Sequence, residues 1–133
     1  MKTLISVFFL ILAFSCCPKK NVDSNELIVS QQLSKQKGIQ FILKSITNDS
    51  RCPEGVNCIW SGEVTTIVSV YNNDVLIEEE SLVFSPRNEQ KIKDYFSKHS
   101  TNRQIKKVDI LPYPKEGVKI NISDYFIKIM YVK

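Results

Sequence analysis

Apolar and polar residues alternate with a period of two along much of this chain, the pattern of strands half-buried against a core. In residues 38–46, Ile39, Phe41 and Leu43 fall on one face and Gln40 and Lys44 on the other. Residues 64–71 are rich in β-branched side chains (Val64, Thr65, Thr66, Ile67, Val68, Val70), which suit a pleated surface. Asn72-Asn73-Asp74 is a turn signal, because Asn and Asp tolerate positive φ, and residues 75–84 read as the antiparallel partner. Glu78, Glu79 and Glu80 in the middle of that segment mark an exposed or edge strand. Residues 105–111 form another strand candidate, ended by Pro112-Tyr113-Pro114, since proline removes a ladder donor. Residues 124–132 close the chain. Tyr125, Ile127, Ile129 and Tyr131 share one face, and Phe126, Met130 and Val132 lie mostly on the other. A strand apolar on both faces predicts a central position.

The pattern is less regular between residues 85 and 104. Ser85-Pro86-Arg87-Asn88 is a turn or a helix start, with Ser85 as the N-cap and Pro86 at the first helical position. Ile92, Tyr95 and Phe96 would then share a helical face, which leaves a short helix and an irregular loop as alternatives. No ten-residue stretch reads as a convincing amphipathic helix. Residues 97–103 read as a polar loop that holds His99, the chain's one histidine. Six or seven short strands separated by turn signals predict an all-β fold, a small antiparallel sandwich or barrel with at most one short helix.

Composition changes this picture little. The 133 residues are 43% hydrophobic and 24% charged, as in an ordinary folded domain. The net charge of +4 is too small and too scattered to argue for nucleic acid as a partner. A single histidine makes His-rich metal sites and most His-based catalysis poor expectations.

The first residues change it more. Met1 and Lys2 form a short positive region, and residues 4–14 are almost wholly apolar, broken only by Ser6. That run has the length of a secretory signal and is too short to span a bilayer, which takes roughly 20 apolar residues. The stretch Ala13-Phe14-Ser15-Cys16 resembles the lipobox of bacterial lipoproteins, although Ala13 stands where that family usually has Leu and Phe14 is bulky for its place. The resemblance implies cleavage before Cys16 and diacylglycerol on its sulfur, with Cys17 as a competing acceptor. Each buried CH₂ contributes about 0.8 kcal/mol, so two or more chains anchor stably. The expected organisation is a lipoprotein signal peptide at 1–15, a lipidated N-terminus and polar tether at 16–34, and one β domain at 35–133. The apolar patch Leu27-Ile28-Val29 within the tether could begin the first strand. The expected location is the bacterial cell envelope, on the outer membrane and facing the periplasm, because Lys19 and Lys20 rather than acidic residues follow Cys16.

The sharpest motif is Asp49-Ser50-Arg51-Cys52-Pro53-Glu54-Gly55-Val56-Asn57-Cys58-Ile59-Trp60-Ser61-Gly62. Export to an oxidising compartment predicts a Cys52–Cys58 disulfide, with Pro53 and Gly55 allowing the reversal. A zinc site would want further Cys or His ligands nearby, and a redox dithiol a tighter spacing. Arg51 and Asp49 are expected to pair and brace the loop, and Trp60 to pack on the disulfide or in the core. The rigid loop is also a candidate binding element through Arg51, Pro53, Glu54, Gly55, Val56 and Trp60, because a clamped loop loses less entropy on binding. The segment resembles a D-S-R-C-P-x-G-V-x-C-x-W-x-G stretch of small, largely uncharacterised bacterial lipoproteins and exported proteins. Pro112-Tyr113-Pro114 and the strand opening at Tyr125 look similar as well. That resemblance implies an all-β exported domain and brings no activity with it.

The chain holds no G-x-S-x-G, no H-E-x-x-H, no phosphate-binding glycine loop and no His pair. Carboxylates such as Glu79 and Asp109 have no spacing that selects them as an acid–base pair. The expectation is therefore a non-catalytic envelope lipoprotein that needs no cofactor or metal. It would be held to the membrane by its lipid and would bind an envelope protein or a glycan, or serve a structural role. The alternative is a hydrolase or protease inhibitor that uses the Cys52–Cys58 loop.

Overall fold

A computed structural model describes residues 25–100 and 102–133. The segment expected as a signal peptide, Cys16, Cys17 and the first part of the expected tether lie outside the described residues.

Six strands form two antiparallel three-stranded sheets. They are β1 (Glu26–Val29), β2 (Ile39–Asp49), β3 (Val64–Asn72), β4 (Val75–Phe84), β5 (Ile105–Leu111) and β6 (Phe126–Tyr131). One sheet has the order β1-β6-β5 and the other β2-β3-β4. The two-faced apolar segment is central as predicted: β6 pairs with β1 through Leu27–Ile129 and with β5 through Val108–Ile129. The glutamate-rich segment is β4, an edge strand. There Glu79 accepts from the Ser69 hydroxyl and meets Lys44 at 3.0 Å, so its carboxyl lies below the usual range. The patch Leu27-Ile28-Val29 lies in β1, so the fold already begins within the segment expected as tether.

The alternating residues meet in one core. Phe41, Leu43, Val64, Val68, Val70 and Leu82 come from one sheet, and Val108, Ile127, Ile129 and Tyr131 from the other. β2 shifts register against β3 between Leu43 and Ser45 and again between Ile46 and Asn48. Such bulges raise local twist.

The region left open between loop and helix is helical, which corrects the reading that no convincing helix was present. A 3-10 turn over Pro86–Asn88 runs directly into α1 (Glu89–His99). Ser85 is extended and makes no side-chain cap; its carbonyl instead accepts from the Asn88 N–H at 3.0 Å. Ile92, Tyr95 and Phe96 are the buried face of α1, and Phe41 and Phe96 meet edge to face with centroids 5.0 Å apart.

His99 is likewise corrected: it is the last residue of the helix, not part of a solvated loop. Its ring sits near Phe41 and Tyr95, with centroids 6.3 and 6.1 Å away, and hydrogen-bonds Glu78.

The strand ends gather at two poles. At one pole Asp49, Val64, Phe84, Leu111 and Phe126 lie together, since Asp49 pairs with Val64, Val64 with Phe84, and Leu111 with Phe126. Arg51 then links the sheets there. At the other pole Glu26, Ile39, Asn72, Ile105 and Tyr131 lie together. The chain enters the described structure at this second pole.

Candidate functional site

The sharp sequence motif occupies the first pole, and most of its residues have internal partners. Asp49 ends β2. Its Oδ1 accepts from Arg51 Nε at 2.9 Å and from the Arg51 backbone N–H at 3.1 Å. Its Oδ2 accepts from Arg51 Nη2 at 2.7 Å and from the Tyr125 hydroxyl at 2.9 Å. The guanidinium also donates through Nη1 to the Ile110 carbonyl at 2.6 Å and through Nη2 to the Pro112 carbonyl at 2.9 Å. The two side chains are only 5% and 11% exposed, and a charge buried to that degree persists only when paired and hydrogen-bonded. Burial opposes ionisation of Asp49, but the hydrogen bonds from Arg51 and Tyr125 outweigh it and hold the carboxyl below its usual range. Burial and donation to Asp49 push the Tyr125 hydroxyl up.

The backbone around this pair is equally fixed. The Ser50 N–H donates to the Glu63 carbonyl at 2.8 Å, and the Cys52 N–H to the Ser61 carbonyl at 3.0 Å. The β2–β3 pairing thus continues past the named strands. Gly62 makes the close crossing possible. It has φ +70°, and a Cβ there would stand 1.9 Å from the Ser50 carbonyl oxygen. No other residue fits.

Beyond this base the chain projects. Cys52 and Cys58 are joined, with Cα atoms 6.0 Å apart. The Val56 N–H donates to the Pro53 carbonyl at 3.2 Å, with Gly55 at φ +80°. Gly55 thus holds the third position of a four-residue turn, where positive φ favours glycine. The Glu54 N–H donates to the Pro114 carbonyl at 2.9 Å, which ties the loop to the segment after β5. Tyr113 stands over the Arg51 guanidinium, 4.7 Å from its carbon to the ring centroid.

The candidate loop residues divide into two groups. Arg51 is buried and braces the site, so it is not available as a surface anchor. Pro53 is half-buried, and Glu54, Gly55 and Val56 are exposed. Trp60 corrects the expectation of core or disulfide packing: it is 59% exposed, and its neighbour Ile59 is fully exposed.

Beside the loop lies a pocket of about 240 Å³, bordered by Arg51, Gly62, Ser85, Glu89, Asp109 and Tyr113. Its carboxylates are occupied: Asp109 meets Lys107 at 2.8 Å and Glu89 meets Lys93 at 2.8 Å. Glu79 and Asp109 lie on different sheets, each in its own ion pair. Among the described residues no group of three or more His, Cys, Asp or Glu is placed to hold a metal ion.

Sequence reasoning found Asp49, Arg51 and the cysteines but missed Tyr125 and the Ile110 and Pro112 carbonyls. Nothing local could have signalled a hydroxyl 76 residues away from its carboxylate. No family model, curated protein or solved structure matches this chain.

Proposed function

We propose that this chain is a membrane-anchored envelope lipoprotein, held by acylated Cys16, that acts as a non-catalytic binding module through its clamped loop. The reading rests on one observation. Almost every distinctive residue of the motif has an internal partner, yet Ile59 and the chain's single tryptophan face solvent on a cross-linked base. Large apolar and aromatic side chains that stand out on a rigid support are the usual anchors of interfaces. The clamp lowers the entropy lost when they dock.

The partner class is an envelope protein with an apolar socket. A glycan would stack on Trp60 but would leave Ile59 without a counterpart. The inhibitor reading is less well supported, because the segment from Pro53 to Val56 is a closed turn rather than the extended strand that pairs along a protein edge.

The test is photo-crosslinking in intact cells, with the reactive group placed at Asn57. Wild-type protein should crosslink to one envelope protein, and Trp60→Ser with Ile59→Ser should abolish the adduct without changing thermal stability. An adduct that survives both substitutions would overturn the loop as the recognition element. Acyl mass on a mature chain that begins at Cys16 tests the anchor separately.

A further inference from the structure

The second pole carries exposed apolar residues of its own, and the loop does not account for them. The β3–β4 hairpin turns there through Asn73 and Asp74, with Val75 64% and Ile77 48% exposed on the strand that leaves it. Leu76 is exposed between them, and Ile39 and Val132 are exposed beside the same strand ends. Gly38 locks the hairpin to the start of β2: the Asn73 N–H donates to the Gly38 carbonyl at 3.2 Å, and the Gly38 N–H donates to Asn73 Oδ1 at 2.9 Å. Exposed cations flank strand ends at the same pole. Lys35 and Lys37 precede β2, Lys133 follows β6, and all three are exposed. Arg103 lies over the Tyr131 ring at 4.2 Å on the same pole. Asp74 is the acidic residue at the tip; Glu26 of the same pole is paired with Lys128 at 2.8 Å.

We infer that this pole is an interfacial surface that rests on a lipid bilayer with anionic headgroups, the hairpin residues Val75, Leu76 and Ile77 entering the headgroup layer. The inference rests on the lipid-anchor reading for its geometry. The described chain starts at Asn25 on this pole. Eight residues lie between it and Cys16, so at full extension the anchor lies within about 30 Å. Exposed apolar side chains together with lysines are the composition of surface-bound elements. Lysines near an anionic surface each add binding that salt weakens. The clamped loop, at the opposite ends of β2 and β3, then points away from the bilayer. The anchor keeps the chain at the membrane, and this surface sets which end faces it.

The single tryptophan makes the orientation measurable. Full mature protein is purified from membranes and its mass recorded, then combined with vesicles of phosphatidylethanolamine and phosphatidylglycerol that contain bromine-labelled acyl chains. Trp60 of the wild type should stay unquenched. Val75→Trp in a Trp60→Phe background should be quenched and blue-shifted. Quenching of Trp60, or none at position 75 in protein that sediments with the vesicles, would overturn the inference.

If the mass shows no acyl chain, the anchor reading fails on its own and the surface is still read by sedimentation. The unacylated chain should then bind these vesicles, and Leu76→Glu with Ile77→Glu, or Lys35→Glu with Lys37→Glu, should weaken binding by roughly tenfold or more. Equal binding by variants and wild type, or no binding by wild type, would overturn it. A second copy of this chain seated on the pole instead would show as position 75 protected from aqueous quenchers but untouched by brominated lipid, and would overturn the inference. Circular dichroism checks the fold of each variant, and none of the substituted residues is buried.

Discussion

Arg51 grips Asp49 through two hydrogen bonds, Nε to Oδ1 at 2.9 Å and Nη2 to Oδ2 at 2.7 Å, while Nη1 and Nη2 also reach the Ile110 carbonyl of β5 on the other sheet and the Pro112 carbonyl just beyond it. The pair therefore joins the two sheets as well as two side chains. Removing the cation leaves a buried carboxylate without its counter-charge, held only by the Tyr125 hydroxyl and the residue 51 N–H, and takes a donor from two carbonyls. Arg51→Ala should cost about 3–5 kcal/mol in urea unfolding. Arg51→Lys should recover little of it, since an ammonium cannot reproduce the planar fork.

The same pair sets an acid limit. The Asp49 carboxyl lies below the usual carboxylate range in the folded chain, so its contribution is present above the unfolded pKa and is lost as pH falls through the folded one. Urea midpoints taken from neutral pH down to about pH 3 should fall steeply for wild type at the acid end. Arg51→Ala should show a shallower fall from its lower starting point, and parallel curves would contradict this.

Two glycines with similar backbones should respond differently. Gly62 and Gly55 have φ of +70° and +80°, yet a Cβ at Gly62 meets the Ser50 carbonyl and one at Gly55 meets nothing within 4 Å. Gly55→Ala should cost about 1–2 kcal/mol, the left-handed penalty alone. Gly62→Ala should cost about 3 kcal/mol or more, because strain and overlap act together. Thermal denaturation of the two variants separates the terms.

Opening the clamp should loosen the tip without dissolving the fold. The Cys52–Cys58 bridge closes a loop with a sequence separation of 6, worth about 2–2.5 kcal/mol in the chain-entropy model. Cys52→Ser with Cys58→Ser should lower Tm by roughly 10 °C. The variant should still unfold in one transition, because the buried Arg51 and Asp49 hold the base of the loop.

His99 offers a check on the helix end. Its ring lies near Phe41 and Tyr95 and bonds the Glu78 carboxylate. Hydrogen bonds from Lys98 and then His99 hold that carboxylate below its usual range. His99→Ala should cost about 1–2 kcal/mol and speed amide exchange over the last turn of α1. Exchange unchanged from wild type would mean that the ring plays no part in fixing the helix end.

Alternation along the chain was enough to read the sheets. Tyr125, Ile127, Ile129 and Tyr131 are buried as their spacing implies, and Asn73 and Asp74 take the positive φ expected of a hairpin turn. The helix was harder because only Ile92, Tyr95 and Phe96 of its 11 residues are buried. The polar residues that follow look like a loop until Phe41, from a distant strand, supplies the surface on which His99 packs.

Trp60 failed for a different reason. Nearness to Cys58 in sequence does not say which way a side chain points. The bond from Cys52 to the Ser61 carbonyl fixes the base of the loop and leaves residues 58–60 on its outer side. The Tyr125 bond to Asp49 depends on how the two sheets meet, which no local pattern encodes.

The antiparallel ladder between β1 and β6 has a mechanical consequence. A tether attached at Asn25 and a partner gripping the far loop would stretch the molecule along its strands. The β1–β6 hydrogen bonds lie across that axis, so a pull shears them together instead of peeling them one by one. Although β1 is only four residues long, it would resist as a unit, and load between membrane and partner would be borne by the central strand rather than by the hairpins at the edge.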